Sequence, residues 1–213
     1  MSIVGRPREH DEATRLALLD AAERIVEKGG PDTLSVRAAA DAVGVSTRAV
    51  YSSFGSKSGL LDALSQRAYE LLATAIGRLP ATDSPDSDLV ETALHVFRPM
   101  AIGHPSVFRL AFLRVVPDLE VGAGTRAAAA EAFQLLCDRC KRLEEHGLLG
   151  GRDPRSCAAV FNALCEGMAT TELRIKQLLG PDPEAAWRDA FAALVAGFAT
   201  ATPRPPRRSP RRR

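Results

Sequence analysis

Residues 33–57 read TLSVRAAADAVGVSTRAVYSSFGSK, and this stretch predicts two short helices joined by a tight turn. Ser35 can begin the first helix, because a serine hydroxyl accepts a hydrogen bond from an unpaired amide of the first turn. Gly44 ends that helix, since glycine readily takes the backbone conformation that stops a helix. Ser46 has the side chain to cap the second helix, over residues 47–54, in the same way.

The spacing of four small or apolar residues predicts how these two helices cross. Ala40 provides a small side chain at the crossing point, and Gly44 lies at the turn. Val45 and Val50 supply two apolar side chains that fix the angle between the helices. A small residue, a glycine and two apolar residues in these positions are typical of a helix-turn-helix.

The segment SVRAAADAVGVSTRAVYSSFGSKSGLLDAL resembles the DNA-binding signature of TetR-type bacterial transcriptional regulators. The resemblance covers roughly residues 15–64. It implies that the second helix enters the major groove of DNA. It also implies that Tyr51 and Lys57 contact phosphates, while Phe54 lies in the core.

Two positions near this surface depart from the family pattern. Ser53 stands where the family often has histidine, and Ser58 stands where an acidic residue often follows the lysine. A side chain that reads bases must reach into the groove, whereas a phosphate contact only positions the protein. We expect Thr47, Arg48 and Ser52 to lie nearest the bases. The candidate DNA-contacting residues are Thr33, Ser35, Ser46, Thr47, Arg48, Tyr51, Ser52, Ser53 and Lys57.

The composition favours an all-α protein with a sizeable core. Hydrophobic residues make up 46% of the 213 residues, and aromatic residues only 5%. Abundant alanine, leucine, arginine and glutamate, with few β-branched runs, favour helices over strands. We predict a three-helix, helix-turn-helix DNA-binding domain over residues 1–56 and a helical ligand-binding and dimerisation domain over residues 57–202. A disordered tail rich in arginine and proline follows over residues 203–213.

Apolar periodicity, with proline or glycine at the joins, predicts the other helices. These cover residues 11–28, 56–78, 89–102, 105–115, 125–146, 154–179 and 183–200. The composition of residues 80–88, PATDSPDSD, predicts a loop. Residues 1–10 form a flexible arm, which is either a solvated terminus or a segment that touches the minor groove.

The net charge of +2 hides an uneven distribution along the chain. The last ten residues, RPPRRSPRRR, carry six arginines and no acidic residue, which leaves 22 basic and 26 acidic residues in the rest. Residues 1–57 contain eight residues of each sign. DNA affinity therefore has to come from where the charges lie, and not from their sum.

The sequence contains no signal for membrane insertion or export. It has no apolar run of about 18 residues, and its N-terminus, MSIVGRPREHDE, lacks the apolar core of a signal peptide. We therefore expect a cytoplasmic protein without membrane association, in which the cysteines are thiols. The four cysteines are Cys137, Cys140, Cys157 and Cys165.

No motif predicts a metal, a cofactor or catalysis. Cys137 and Cys140 form a C-x-x-C pair within a predicted helix, and His146 is the only imidazole near them in sequence. A closed zinc site needs four ligands at recognisable spacing, which this pair does not provide. A nucleophile elbow, a phosphate-binding glycine loop and a zinc-protease motif are also missing from the sequence. We therefore predict that the protein is not an enzyme.

Residues 97–116, FRPMAIGHPSVFRLAFLRVV, combine aromatic walls with a few polar groups, as a small-molecule pocket does. Alternatively, the aromatic side chains are ordinary core and the polar ones face water. The resemblance to TetR-type regulators implies an effector cavity in the second domain. Glu166, amid apolar neighbours, could meet a cationic ligand, face the surface or pair with an arginine. The predicted pocket lining is Phe97, Arg98, Met100, Phe108, Phe112, Phe133, Phe161 and Met168.

The last helix carries too much apolar surface for a helix at the periphery of one subunit. Alanine and glycine residues interleave with its large side chains and allow another helix to approach closely. We predict that it packs against a second subunit, together with the helix over residues 154–179. The predicted interface residues are Trp187, Phe191, Leu194 and Phe198.

These features predict a TetR-type repressor that binds a palindromic double-stranded DNA operator as a homodimer and is released by a small-molecule effector. Two alternatives remain. One is a helical small-molecule-binding protein or enzyme with an incidental helix-turn-helix. The other is a non-specific, nucleoid-type DNA-binding protein without an effector.

Residues 204–213 either attract DNA or only aid solubility. Proline interrupts any helix there and like charges repel, so we expect this segment to be disordered when free. If the arginines bind phosphates, deleting the segment should weaken operator and random duplex by similar factors. It should also flatten the log–log dependence of affinity on salt by about 0.9 for each phosphate that the arginines would neutralise. An unchanged slope across a salt series would leave the tail with no role on DNA.

Overall fold

The structure is a computed structural model that describes residues 6–200, with side chains at residues 11–175 and 177–200. Within this range the chain is helical and contains no strand. Its α-helices are α1 (Arg6–Gly29), α2 (Val36–Val43), α3 (Thr47–Phe54), α4 (Lys57–Arg78), α5 (Pro85–Thr92), α6 (Arg98–Gly103), α7 (Pro105–Phe112), α8 (Ala123–Glu145), α9 (Pro154–Arg174) and α10 (Pro183–Ala199). Single helical turns cover Pro31–Thr33, Ala93–Phe97 and Lys176–Leu179.

Local capping explains where the helices of the first domain begin. The Ser35 hydroxyl accepts from the amide of Ala38 at 3.0 Å and begins α2, as predicted. Ser46 precedes α3, but its side chain makes no capping bond. Its carbonyl oxygen instead accepts from the amide of Ala49 at 3.0 Å. The prediction of a side-chain cap was therefore wrong for Ser46, and its exposed hydroxyl remains available to a partner.

The turn between α2 and α3 has the predicted geometry. Gly44 has φ +74, a conformation that a residue with a Cβ rarely adopts. The amide of Val45 donates to the carbonyl of Ala40 at 3.0 Å and closes the turn. Ala40 and Val50 are each 1% exposed, so the crossing of the two helices is buried. The helix-turn-helix is confirmed.

A second tight junction fixes α3 against α4. The Ser56 hydroxyl accepts from the amide of Gly59 at 3.0 Å and begins α4. A Cβ at Gly59 would lie 1.9 Å from the carbonyl oxygen of Phe54, so any larger residue there would force the two helices apart. The direction of α3 relative to α4 therefore depends on this close approach.

Helices α4 and α7 belong to both hydrophobic cores. Leu60 and Leu64 of α4 pack with α1, α2 and α3, whereas Leu72 and Ile76 pack with the later helices. Helix α7 contributes Val107, Leu110 and Ala111 to the first core and Phe108 to the second. The predicted domain boundary after residue 56 coincides with the start of α4, but the first core extends beyond it.

The second core is built around the rings of the last two helices. Phe161 of α9 lies 4.9 Å from Phe191 of α10 between ring centroids, and Trp187 stacks on Phe191 at 5.5 Å. Trp187 and Phe191 are 0% exposed, and Phe198 is 5% exposed. A side chain buried in its own subunit has no surface left for a partner. The prediction of a dimer interface was therefore wrong for Trp187 and Phe191, whereas Phe198 also lines a surface groove between α9 and α10.

Several predicted boundaries differ from the structure. Helix α1 begins at Arg6, inside the predicted arm, because proline is tolerated in the first turn of a helix. The helix predicted over residues 89–102 is interrupted by a π-helical turn at Ala93–Phe97. Helix α7 ends at Phe112, and α9 ends at Arg174 before a 3₁₀ turn. The predicted tail over residues 203–213 lies outside the described residues.

The predicted loop over residues 80–88 contains the start of α5, at Pro85. Asp88 is buried and accepts from the amide and hydroxyl of Thr82, at 2.8 and 2.7 Å, and from Arg142 at 2.6 Å. Burial raises the pKa of the Asp88 carboxyl, but the bonds from Thr82 and Arg142 outweigh it and hold that pKa below its usual value. Residues 85–88 are thus helical although they are polar, because the arginine that binds Asp88 lies on α8.

A buried ion pair connects α6, α9 and α10. The carboxylate of Glu172, only 8% exposed, accepts from Arg98 Nε at 3.2 Å and Nη2 at 3.0 Å. It also accepts from Trp187 Nε1 at 2.8 Å. Arg98 makes a further, more exposed pair with Glu184 at 3.2 Å. All three nitrogens of the Arg98 guanidinium therefore donate to carboxylates on α9 and α10.

The two partners of Arg98 should differ sharply in their contribution to stability. Glu172→Ala leaves Arg98 and the Trp187 N–H without their buried acceptor and should cost about 3 kcal/mol of unfolding free energy. Glu184→Ala removes the exposed partner of the same arginine and should cost less than about 1 kcal/mol. Urea unfolding of both variants measures the difference. Equal losses would contradict a structural role for the buried pair.

Candidate DNA-binding surface and effector cavity

Helix α3 buries one side and exposes the other. Val50 is 1% exposed and faces the first core, whereas Tyr51 on the other side is 55% exposed. Thr47, Arg48 and Ser52 are also exposed, so all three predicted base-reading side chains reach the surface. The helix therefore presents a polar face two turns long.

The exposed face of α3 forms a concave surface with the start of α1. This surface has a volume of about 610 Å³ and includes Ser46, Arg48, Ser52 and Ser53. From α1 it is lined by Asp11, Glu12, Thr14 and Arg15. The Arg15 guanidinium lies 3.7 Å from the Glu12 carboxylate and 5.5 Å from the centroid of the Phe54 ring. Sequence reasoning did not single out Arg15, although the amphipathic pattern of α1 left it off the apolar stripe.

Three other predicted residues lie near the start of α4. Lys57 is half-buried, and its Nζ donates to the carbonyl oxygen of Asp32 at 3.4 Å. Thr33, in the same turn, donates from its hydroxyl to the carbonyl of Gly30 at 2.8 Å. Ser35 uses its hydroxyl as the cap of α2. The structure thus places Lys57 against the turn that contains Thr33.

Two neighbouring cavities lie between the central helices of the second domain. The first, which we call the aromatic cavity, has a volume of about 180 Å³. Its lining is Tyr69, Leu72, Phe97, Phe112, Ala129, Ala132, Phe133, Leu136, Asn162 and Glu166. The second has a volume of about 250 Å³ and shares Tyr69 and Ala129 with the first. Tyr69 therefore stands between the two cavities.

The structure places three of the residues predicted to line a pocket at a cavity. Phe97, Phe112 and Phe133 line the aromatic cavity. Phe108 and Phe161 are buried in the second core, at 1% and 0% exposure, so the prediction was wrong for both.

The other predicted lining residues also lie elsewhere. Arg98 is held by Glu172, and Met100 lines a separate surface groove. Met168 packs against the second core and does not line the cavity. Sequence reasoning missed Tyr69, Leu72, Leu136 and Asn162, because only packing shows which side of α4, α8 and α9 faces the space.

Two polar side chains give the aromatic cavity its chemistry. Glu166 Oε1 accepts from Asn162 Nδ2 at 2.7 Å. Burial raises the pKa of the Glu166 carboxyl, and the bond from Asn162 only partly offsets this. The Tyr69 hydroxyl donates to the carbonyl of Ala111 at 2.9 Å. Burial, and secondly the charge of Glu166, raise the pKa of Tyr69, while Arg114 lowers it.

The described side chains form no metal-binding cluster. Among residues 11–175 and 177–200, no group of three or more His, Cys, Asp or Glu side chains could bind a metal ion. None of the helices there combines the length and the apolar character that a membrane crossing requires. Burial, with the nearby Cys157 and Cys137, raises the pKa of Cys140 to about 12, so this residue is a neutral thiol.

Comparison with known proteins identifies the module that carries α3. Residues 18–64 match the family model described as bacterial regulatory proteins, tetR family. Residues 18–64 are therefore a DNA-binding module of the tetR type. No curated protein matches the sequence of the chain.

Solved structures show that the TetR-like fold extends over both domains. A protein of unknown function from Rhodococcus sp. RHA1 is 25% identical, with a TM-score of 0.78, and the match covers 92% of this chain and 100% of that chain. A tetR-family regulatory protein from Rhodococcus RHA1 is 15% identical, with a TM-score of 0.67 and coverage of 89% and 98%. AibR, solved with isovaleryl coenzyme A and operator DNA, is 18% identical, with a TM-score of 0.62 and coverage of 88% and 99%.

The exposed and half-buried residues of this TetR-family module should respond differently to substitution. Arg48→Ala should cost about 1 to 3 kcal/mol of binding free energy at one or two base positions, if the guanidinium pairs with guanine. Lys57→Ala should weaken binding to all sequences by a similar factor, because a phosphate contact carries no sequence information. Competition between operator variants with single base changes measures both effects. Parent-like binding by both proteins would contradict these roles.

Proposed function

We propose that the protein is a homodimeric repressor that binds a palindromic operator and leaves it when a small molecule occupies the aromatic cavity. The observation that carries this proposal is the connection of an exposed recognition helix to a cavity through α4 and α7. It requires no enzymatic step. We place this function in the cytoplasm, where bacterial DNA lies.

The surface of α3 supports sequence-specific binding. Arg48 and Ser52 are exposed on the face that a major groove would receive, and hydroxyl and guanidinium groups pair with base edges. Lys57 and Tyr51 stand to either side of this face and fit phosphate contacts. The acidic side chains of Asp11 and Glu12 oppose binding by charge alone. Specific contacts therefore have to supply much of the affinity.

The outer faces of α9 and α10 support dimer formation. They enclose a groove of about 650 Å³ that includes Val160, Ala193, Leu194 and Gly197. Val160 is 50% exposed, and the alanine and glycine allow a partner helix to approach closely. Leu194 is half-buried and stays a predicted interface residue. We propose that two copies pair through this groove, which Phe198 also lines.

Helix α7 supports communication between the cavity and the DNA-binding module. At its N-terminus the Glu27 carboxylate of α1 accepts from the amides of Ser106 and Val107, at 3.0 and 2.9 Å. At the other end of α7, Phe112 lines the aromatic cavity, and the carbonyl oxygen of Ala111 accepts a hydrogen bond from the Tyr69 hydroxyl. A ligand that moves the cavity end of α7 would therefore also move α1.

A second contact strengthens this connection. His104 Nδ1, directly before α7, lies 2.9 Å from Glu23 of α1. A ligand shifts such an arrangement only by its difference in affinity for the two states, and coupling between sites is typically about 1 to 3 kcal/mol. The proposed effector therefore needs to favour a spacing of the two α3 helices that does not fit the operator.

Selection of bound duplexes from a random pool tests the proposal directly. We expect an inverted repeat whose half-sites lie one helical turn, about 34 to 36 Å, or a multiple of it apart. A nucleoid-type protein would enrich no sequence, and a ligand-binding protein or enzyme with an incidental helix-turn-helix would retain no duplex. Either result would contradict the proposed function.

A pair of matched variants shows whether the dimer is needed. Val160→Glu places a carboxylate in the proposed interface, where it would lose hydration without a partner, and should give monomers that select no inverted repeat. Ile102→Glu introduces the same charge at a side chain that is 42% exposed on α6, outside the groove, and should leave both properties unchanged. Sedimentation measures the state of each protein. A dimeric Val160→Glu protein would exclude this interface.

A further inference from the structure

The aromatic cavity contains a carboxylate without a cation. Glu166 projects from α9 into the cavity, and its single protein hydrogen bond among the described side chains comes from Asn162, one turn away on the same helix. No described lysine, arginine or histidine forms an ion pair with it. The other carboxylate oxygen, Oε2, has no described partner. A half-buried charge of this kind is costly unless something pairs with it.

The arrangement differs from that of the other buried carboxylates. Asp88 and Glu172 are each bound by an arginine within their own core. Glu166 is oriented by Asn162 but not neutralised by it, because an amide carries no charge. Asp88 and Glu172 thus each have an arginine partner, whereas Glu166 has none and faces open space.

Aromatic rings form much of the wall around this carboxylate. Tyr69, Phe97, Phe112 and Phe133 contribute four rings from four segments of the chain. The Phe133 ring already packs against the guanidinium of Arg155, 5.0 Å from its centroid, so one ring of this wall is already in contact with a cation. Ring faces attract cations, and an aromatic enclosure with a carboxylate is a good environment for an ammonium group.

The size of the cavity limits the ligand. Its volume is about 180 Å³, and a cavity of roughly 150 Å³ is enough for benzene. One aromatic ring or a short alkyl chain with a polar head fits this space. Tyr69 lies between this cavity and the neighbouring one, so a longer ligand would have to displace that ring.

We propose that the aromatic cavity binds a small organic monocation, a primary amine on a single ring or short alkyl chain, with its ammonium group on Glu166. A carboxylate ligand would be repelled by Glu166. A neutral ligand would fill the space but leave the charge of Glu166 unpaired. This assignment rests on the proposed function, because it names the chemical class of the effector for the same cavity.

Calorimetric titration with three probes of similar shape tests the assignment. The probes are 2-phenylethylamine, the neutral 2-phenylethanol and the anion phenylacetate, added to the full-length protein. We expect the amine to bind roughly tenfold or more tightly than the alcohol, and the anion not to bind. Equal binding of amine and alcohol, or no binding of the amine, would overturn the assignment.

Three variants test the role of Glu166. Glu166→Gln keeps the shape and removes the charge, so the preference for the amine over the alcohol should disappear. Glu166→Asp keeps the charge on a shorter side chain and should retain the preference with a weaker affinity. Glu131→Gln removes an exposed carboxylate from α8, away from the cavity lining, and should bind like the parent. A Glu166→Gln protein that still prefers the amine would overturn the proposal.

Operator binding, measured with and without the amine, separates this assignment from the proposed function. Amine binding that depends on Glu166 but leaves operator affinity unchanged would support the cation site and contradict the effector role. Operator release by the alcohol and amine alike, with parent-like behaviour of Glu166→Gln, would support an effector cavity and overturn its preference for cations.

Discussion

The structure depends on α4 being a single continuous helix with its two halves in different cores. Leu60 and Leu64 hold the first half in the DNA-binding module, while Leu72 and Ile76 hold the second half in the cavity domain. A helix of 22 residues is about 33 Å long and does not bend easily without a proline or an inserted group. Movement of its cavity end therefore has to appear at the other end, where Gly59 contacts the end of α3.

Helix α7 provides a second connection that is polar where α4 is apolar. The Glu27 carboxylate binds two amides at its N-terminus, where the helix dipole also favours a negative charge. Such bonds are directional, so they fix the position of α7 on α1 more narrowly than apolar packing alone. At the cavity end of α7, the comparable hydrogen bond among the described residues is the one from Tyr69 to Ala111. A ligand can therefore displace this end of the helix at the lowest cost in free energy.

The sequence predicts a structural feature well when the residues that cause it lie close together in the chain. The limits of α2, α3 and α4 follow from residues within one turn, such as the Ser35 cap and the glycine at position 44, and the sequence predicts them well. Asp88 looks like part of a loop because its arginine lies 54 residues away on α8. Trp187 and Phe191 were predicted at a dimer interface although both are buried, because large and small apolar residues alternate along α10 and only packing shows which side is covered. For the same reason the sequence indicates a group of aromatic residues in this region, but it does not show which of them line the cavity.

The charges around α3 indicate how a module without net charge can still select DNA. Asp11 and Glu12 lie beside Arg15 and Arg48 on one concave surface. Carboxylates near phosphates penalise every duplex, whereas Arg48 favours only a duplex with the right base beneath it. A random duplex is repelled by these carboxylates and lacks the favourable contact with Arg48. In the proposed binding mode the acidic residues would therefore lower non-specific binding more than operator binding, so that repulsion as well as recognition would contribute to specificity.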